Sequence, residues 1–168
     1  MEHYEEFGLL LKRIQQKYPK YKLVIREKSL LFVLLYKLLF MKYWHAHFLD
    51  SYVSTIYYNC YMPFGLINTQ MGHMYLLRSF RQLEDQLSHR YTYWPLYMLN
   101  PFRAYWEYRG YCAFISAQYM YFGHAQKDLI EYLSSIFSDN TYLWMFPIRP
   151  IMRRAFLFYA YSKNIPVQ

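Results

Sequence analysis

At 168 residues the chain is long enough to enclose a core of its own, and with 55 % hydrophobic and 23 % aromatic residues against 5 glycines it is neither disordered nor low-complexity. The 19 Lys and Arg outweigh the 11 Asp and Glu, giving a net charge of +8. That balance suits an acidic protein, a nucleic acid or an anionic membrane as partner. There is no Gly-x-x-x-x-Gly-Lys phosphate loop and no Gly-x-Ser-x-Gly elbow, which removes two common catalytic classes.

Phe7, Leu10, Leu11, Ile14 and Tyr18 recur at helical spacing, with Glu5 and Glu6 near the positive helix start and Lys17 before Pro19. Residues 1–20 are therefore predicted to form an amphipathic helix. The stretch lacks the basic start and apolar core of a signal peptide, so none is expected. A strand over 21–26 and a helix over 29–43 follow. The apolar run 30–41 covers 12 residues and contains Lys37, short of the roughly 20 that cross hydrocarbon. It reads as a helix buried on nearly all sides, and no transmembrane span is expected.

Residues 52–62, rich in Tyr, Val, Thr and Ile, predict two short strands around Tyr58-Asn59, broken by Pro63, Phe64 and Gly65. Asn68 or Thr69 opens a long helix through about His89. Asn100, as a cap, and Pro101 in the first turn start another that runs to Gly123, a suitable left-handed terminator. Further helices cover 126–137 and 151–161, the last after Pro147 and Pro150 have bent the chain. The prediction is an α+β, mainly helical single domain over 1–168, with a small β-hairpin or sheet, long helices and no internal repeat.

Cys60 and Cys112 lack metal or redox spacing and read as buried, reduced thiols of a cytosolic protein. His45 and His47 stand two apart, and His73, His89 and His124 are scattered, so no metal-ligand pattern emerges. Charge is concentrated at the ends. Nine basic residues and one acid, Glu27, lie between Lys12 and Lys42, and after Asn140 there are Arg149, Arg153, Arg154 and Lys163 with no acid.

Several collinear motifs carry a family resemblance. Leu23-Val24-Ile25-Arg26-Glu27-Lys28-Ser29, then Lys37-Leu38-Leu39-Phe40, is similar to a strand, charged turn and apolar helix. Ser54-Thr55-Ile56 through Tyr61-Met62-Pro63 resembles a Thr-Thr-Ile-Gly-Asn-x-x-Tyr-x-Pro hairpin, with Tyr57 in the glycine position. His89-Arg90-Tyr91 and Trp94-Pro95-Leu96-Tyr97 to Pro101 fall in step with Arg-Tyr-Gly and Tyr-Leu-x-Pro. Tyr105-Trp106-Glu107-Tyr108-Arg109-Gly110-Tyr111 resembles a Glu-x-x-Ala-Tyr helix, and residues 137–147, with Tyr142-Leu143-Trp144-Met145-Phe146-Pro147, a C-terminal signature. Together, residues 20–155 resemble a family of zinc metallopeptidases seen mostly in bacteriophage genomes, which implies a zincin-like scaffold.

In that family a helix reads His-Glu-x-x-His. One turn puts positions i and i+4 on one face, so two imidazoles grip zinc while the Glu polarises its water, and a later Glu completes the set. Here the aligned pentapeptide is Phe80-Arg81-Gln82-Leu83-Glu84. Phe80 cannot ligate, Arg81 cannot accept a proton, and of the implied positions Phe80, Arg81, Glu84 and Glu107 only Glu107 keeps its ligand type. No catalytic residue, metal or cofactor is assigned. Arg81 is expected to pair with Glu84, Asp85 or Glu107 where the zinc would sit.

The resemblance thus implies a catalytically inactive metallopeptidase-like protein, a structural or interaction component of a large assembly such as a bacteriophage virion, located in the virion or host cytoplasm. Its partners would be other protein subunits. The candidate interface residues are Tyr91, Tyr93 and Trp94, together with Tyr142, Trp144 and Phe146, several of them expected to be buried either in the core or against another subunit, because Tyr and Trp supply interface area with a polar tip. The alternatives are a basic adaptor stacking nucleic acid bases on Arg90-Tyr91-Thr92-Tyr93-Trp94 and on residues 103–109, and an active metallopeptidase.

Overall fold

The computed structural model describes residues 2–30, 53–138 and 146–168. Most of the helix predicted over 29–43, together with His45, His47, Tyr142 and Trp144, lies outside the described residues. The described elements are α1 (Glu2–Lys17), β1 (Lys22–Ile25), β2 (Ser54–Ile56), β3 (Asn59–Met62), α2 (Gln70–Ser88), α3 (Tyr93–Tyr97), α4 (Asn100–Phe122), α5 (Lys127–Ile136) and α6 (Arg149–Ser162). This is an α+β architecture, mainly helical, with one small sheet. The chain divides into two compact units, Met1–Leu83 and Glu84–Gln168, and the division falls within α2.

In the first unit α1 buries Phe7 and Ile14, the inward side of the predicted stripe. The sheet order is β1-β3-β2, with β3 parallel to β1 and antiparallel to β2. Ile56 pairs with Asn59, so the hairpin turn is Tyr57-Tyr58, one residue earlier than predicted, and Asn59 belongs to the strand. Tyr57 adopts φ +47°, the left-handed sense that closes a two-residue hairpin. It occupies the position where the resembled hairpin has glycine.

The sheet is tied to α2 through hydroxyls. Register places Thr55 opposite Cys60, and both are buried. Thr55 donates to Ser79 Oγ at 2.8 Å, and the Tyr21 hydroxyl, just ahead of β1, bonds the same oxygen at 2.8 Å. Arg78, also buried, donates to the Val53 carbonyl at 3.1 Å. Burial pushes the Tyr21 phenol and the Cys60 thiol above their ordinary pKa values, so both stay neutral and serve packing.

The start of α2 is built by Thr69, whose hydroxyl donates to the Leu66 carbonyl at 2.7 Å and accepts the Gly72 N–H at 2.9 Å. Gly72 is required there by contact, because a Cβ would lie 1.8 Å from the Leu66 carbonyl oxygen.

In the second unit α4 is buried around most of its circumference, with Trp106, Tyr111, Phe114, Ile115 and Ala117 all inside. Tyr111 and Phe156 each pack edge-on to Phe137, at 6.0 and 5.8 Å between ring centroids. The Tyr108 hydroxyl donates to the Ala155 carbonyl at 3.1 Å, and Ser116 bonds Tyr159 at 2.7 Å, fixing α6 on α4. Gly123 ends α4 at φ +71°, as its sequence position predicts. Residues after α6 return to the α4–α5 junction, where Ala125 pairs with Val167 and the Lys127 N–H bonds the Gln168 carbonyl at 2.7 Å.

One local prediction is corrected here, and one element is added. Asn100 is already helical, and extended Leu99 is the cap; Asn100 instead accepts a bond from Arg103 at 2.7 Å. Pro101 permits this because the first turn's N–H groups lack intrahelical partners anyway. The short helix α3 was not predicted from the sequence. Its Pro95 falls in that same tolerant first turn.

Candidate functional site

The positions implied by the resemblance divide between the two units. In the first, Phe80 is half-buried, its ring 5.9 Å from that of Tyr18, with Lys17 Nζ 5.2 Å from its centroid. Phe80 therefore makes an aromatic contact to the end of α1. Arg81 is half-buried in the same unit, and Glu84 is half-buried in the second.

Glu107 is buried, 3 % exposed, and accepts a hydrogen bond from the Tyr97 hydroxyl at 2.5 Å. A buried carboxylate needs such a donor, and here it comes from the unpredicted α3. Around this bond the rings interlock. Tyr93 lies 4.4 Å from Trp106 and is stacked on Tyr97 at 5.4 Å, with Trp94 edge-on to Tyr93 at 5.4 Å. The rings of His89 and Phe102 also lie near Trp106, at 5.9 and 6.2 Å between centroids.

Asp85, buried on the last turns of α2, receives Arg109 as a fork, Nε to Oδ2 at 3.1 Å and Nη2 to Oδ1 at 2.9 Å. Arg109 Nη1 donates onward to the Tyr105 hydroxyl at 3.0 Å, and the guanidinium stands 5.5 Å from the Tyr105 ring centroid. This bridge, which the sequence reading did not name, joins an acid on α2 to an arginine on α4.

The chain Asp85 to Arg109 to Tyr105 ends at the surface. Tyr105 is 51 % exposed, and Met98, Leu99 and Phe102, in the same short stretch around the α3–α4 corner, are 77 %, 52 % and 42 % exposed. Tyr91, before α3, is 86 % exposed. Between residues 86 and 127 the only acid is Glu107, which is buried, so the charges offered to solvent here are arginines and a lysine.

Among the predicted interface residues, then, Tyr91 is on the surface, Tyr93 is core, and Trp94 and Phe146 are half-buried. Sequence reasoning missed Met98, Leu99, Phe102 and Tyr105. A weak signal existed for part of this group, since residues 102, 105 and 109 fall on one face of α4 at helical spacing.

The donor set does not fit the zinc that the resemblance implies. Phe80 and Arg81 supply no ligand atom, and Glu107 is engaged by Tyr97. Among the described residues, no three His, Cys, Asp or Glu side chains gather where they could hold a metal ion. Likewise, no described helix is long and apolar enough to cross a membrane. No protein-family model, curated protein or solved structure matches the chain.

Proposed function

We propose that this chain is a metallopeptidase-like scaffold without metal chemistry, acting as a structural or interaction component of a large protein assembly, a bacteriophage particle on the family resemblance. The observation that carries this reading is the exposed group Met98, Leu99, Phe102 and Tyr105, with Tyr105 held in place by Arg109 and Asp85. Large apolar side chains exposed close together in the chain are a feature of interaction surfaces. Tyrosine and arginine are the residues that dominate interface energetics, and fixing one before contact reduces the ordering cost of binding. The left-handed Tyr57 at a family glycine position supports the resemblance, since glycine takes that backbone without strain.

The test follows the chain through sedimentation of infected-cell extracts. The wild type should travel with high-mass particles, and Phe102→Asp with Tyr105→Ala should release it while the purified variant remains folded. Retention of the double variant in the particles would overturn the interface. Separately, purified protein that carries one zinc per chain and cleaves a protein substrate, both lost on Glu107→Ala, would overturn the inactive scaffold.

A second reading, binding of single-stranded nucleic acid, is favoured by one local arrangement. Arg90 stands 5.9 Å from the ring of Tyr91, which is 86 % exposed. A base can stack on such a ring while the guanidinium meets phosphate. Binding of this kind weakens steeply with salt, whereas an aromatic protein interface does not.

A further inference from the structure

Helix α6 has a second, independent surface. Its inner side buries Met152, Phe156 and Ala160, and Tyr108 and Ser116 bond it to α4. Its outer side presents Ile151, Arg154, Phe158 and Tyr161, spaced i, i+3, i+7 and i+10, which places them in one row along the helix. Ile151, Phe158 and Tyr161 are 48 %, 74 % and 66 % exposed, and Ile148 just ahead of the helix is 48 % exposed. A helix normally turns such a row toward a core.

Charge identifies what would cover it. Arg149 and Arg153 are both taken by Glu131, on the side toward α5. Arg154 stands in the middle of the apolar row, exposed, with no carboxylate partner among the described residues, and Lys163 is exposed just past the helix end. From Asn140 onward the sequence has no acid. A second copy of this chain would bring the same cation against Arg154 and is disfavoured by repulsion. A lipid surface would have to take up Arg154 along with the apolar side chains flanking it in the row, whereas membrane-lying helices keep their cations on the polar face. Single-stranded nucleic acid could stack on Phe158 and Tyr161 but would leave Ile148 and Ile151, which offer a base no flat ring, without a partner.

We propose that the outer face of α6 docks an amphipathic helix of a different protein, one that sets an Asp or Glu opposite Arg154 between apolar residues meeting Ile151, Phe158 and Tyr161. This is helix-against-helix recognition through i, i+3 and i+7 anchors, with the charge pair fixing register. It rests on the reading of the chain as an interaction component, but uses a different surface from the α3–α4 corner.

The experiment uses the full chain as bait and a display library of amphipathic helices about 20 residues long as probe, depleted on Phe158→Asp so that surviving clones read this face. Expected survivors carry an acid flanked by apolar residues. Arg154→Glu should weaken them at least tenfold, and replacing their acid by lysine should restore binding to Arg154→Glu. Tyr105→Ala should leave them unaffected. Tyr161→Ala serves as a second face variant, should Phe158→Asp perturb folding. No surviving clones, or survivors indifferent to Arg154→Glu, would overturn the proposal and leave the α3–α4 surface standing. It would equally be overturned by an oligothymidylate, or vesicles containing phosphatidylserine, that bound the chain and were lost on Phe158→Asp, or by a dimer in sedimentation abolished by the same substitution.

Discussion

Asp85 and Arg109 meet as a fork, with both carboxylate oxygens engaged at 3.1 and 2.9 Å, and the two ends of this pair lie in different surroundings. The Asp85 side chain is 4 % exposed and that of Arg109 31 %. If Arg109 is removed, a carboxylate stays buried without its guanidinium; if Asp85 is removed, the guanidinium can still reach water. Arg109→Met should therefore cost about 3 kcal/mol and Asp85→Asn about 2 kcal/mol in urea unfolding, below the cost for a fully buried pair because Arg109 is partly solvated. The double-mutant cycle should give a coupling of about 1 kcal/mol or more. Equal single costs and zero coupling would show the fork to be an ordinary surface pair.

The junction at Gly72 gives a sharper stability test. A methyl group there meets the Leu66 carbonyl oxygen at 1.8 Å, and both partners are backbone, so neither can swing aside. Gly72→Ala should lower stability by about 2 to 3 kcal/mol despite alanine's better helix propensity. Thr69→Ala, which only removes the cap to the Gly72 N–H, should cost about 1 kcal/mol. Thermal unfolding in which Gly72→Ala is neutral would mean that the Pro63–Thr69 connection yields easily.

The elements that could be read from the sequence are those with an uninterrupted local signal. The apolar spacing of α1, the Thr69 cap and the Gly123 terminator each depend on a few neighbouring residues, and all three lie where the sequence places them. The candidate site was less legible, because its bonds join residues distant in sequence: Tyr97 to Glu107, Asp85 to Arg109, and Thr55 and Tyr21 to Ser79. With 22 tyrosines in the chain, composition does not distinguish Tyr93, which is core, from Tyr91, which is surface. Only the path of α3 separates them. The buried polar side chains of α2, among them Arg78, Gln82 and Gln86, also hide the contrast between faces on which a periodic reading relies.

Tyr57 bears on the resemblance through energetics. Its φ of +47° places Cβ close to the following carbonyl, at a cost of roughly 1 kcal/mol or more that glycine does not bear. Tyr57→Gly should raise stability by about 0.5 kcal/mol or more after the added flexibility of the unfolded chain is counted. Tyr57→Val, β-branched in the same conformation, should lower it. If glycine proves clearly destabilising, the ring of Tyr57 contributes more than its backbone costs.

Glu131 supplies the pH dependence that the second unit should show. Arg153 donates to one of its oxygens and Arg149 lies 3.6 Å from the other, and the Arg153 bond leads the effects that hold the carboxyl below its ordinary value of 4.5. A group whose pKa is lower folded than unfolded binds fewer protons in the folded state, so stability rises with pH across that interval. Its contribution is complete above about pH 4.5, where the unfolded carboxyl is also ionised, and disappears as pH falls through the depressed folded value. Wild type should therefore exceed Glu131→Gln in urea midpoint at pH 7, and the gap should narrow below pH 4.5. Since the groups are partly solvated, 0.5 M salt should narrow the pH 7 gap as well. A difference that is constant from pH 7 down to pH 3 would mean that Glu131 contributes through packing, and that the two arginines of α6 are not held by its charge.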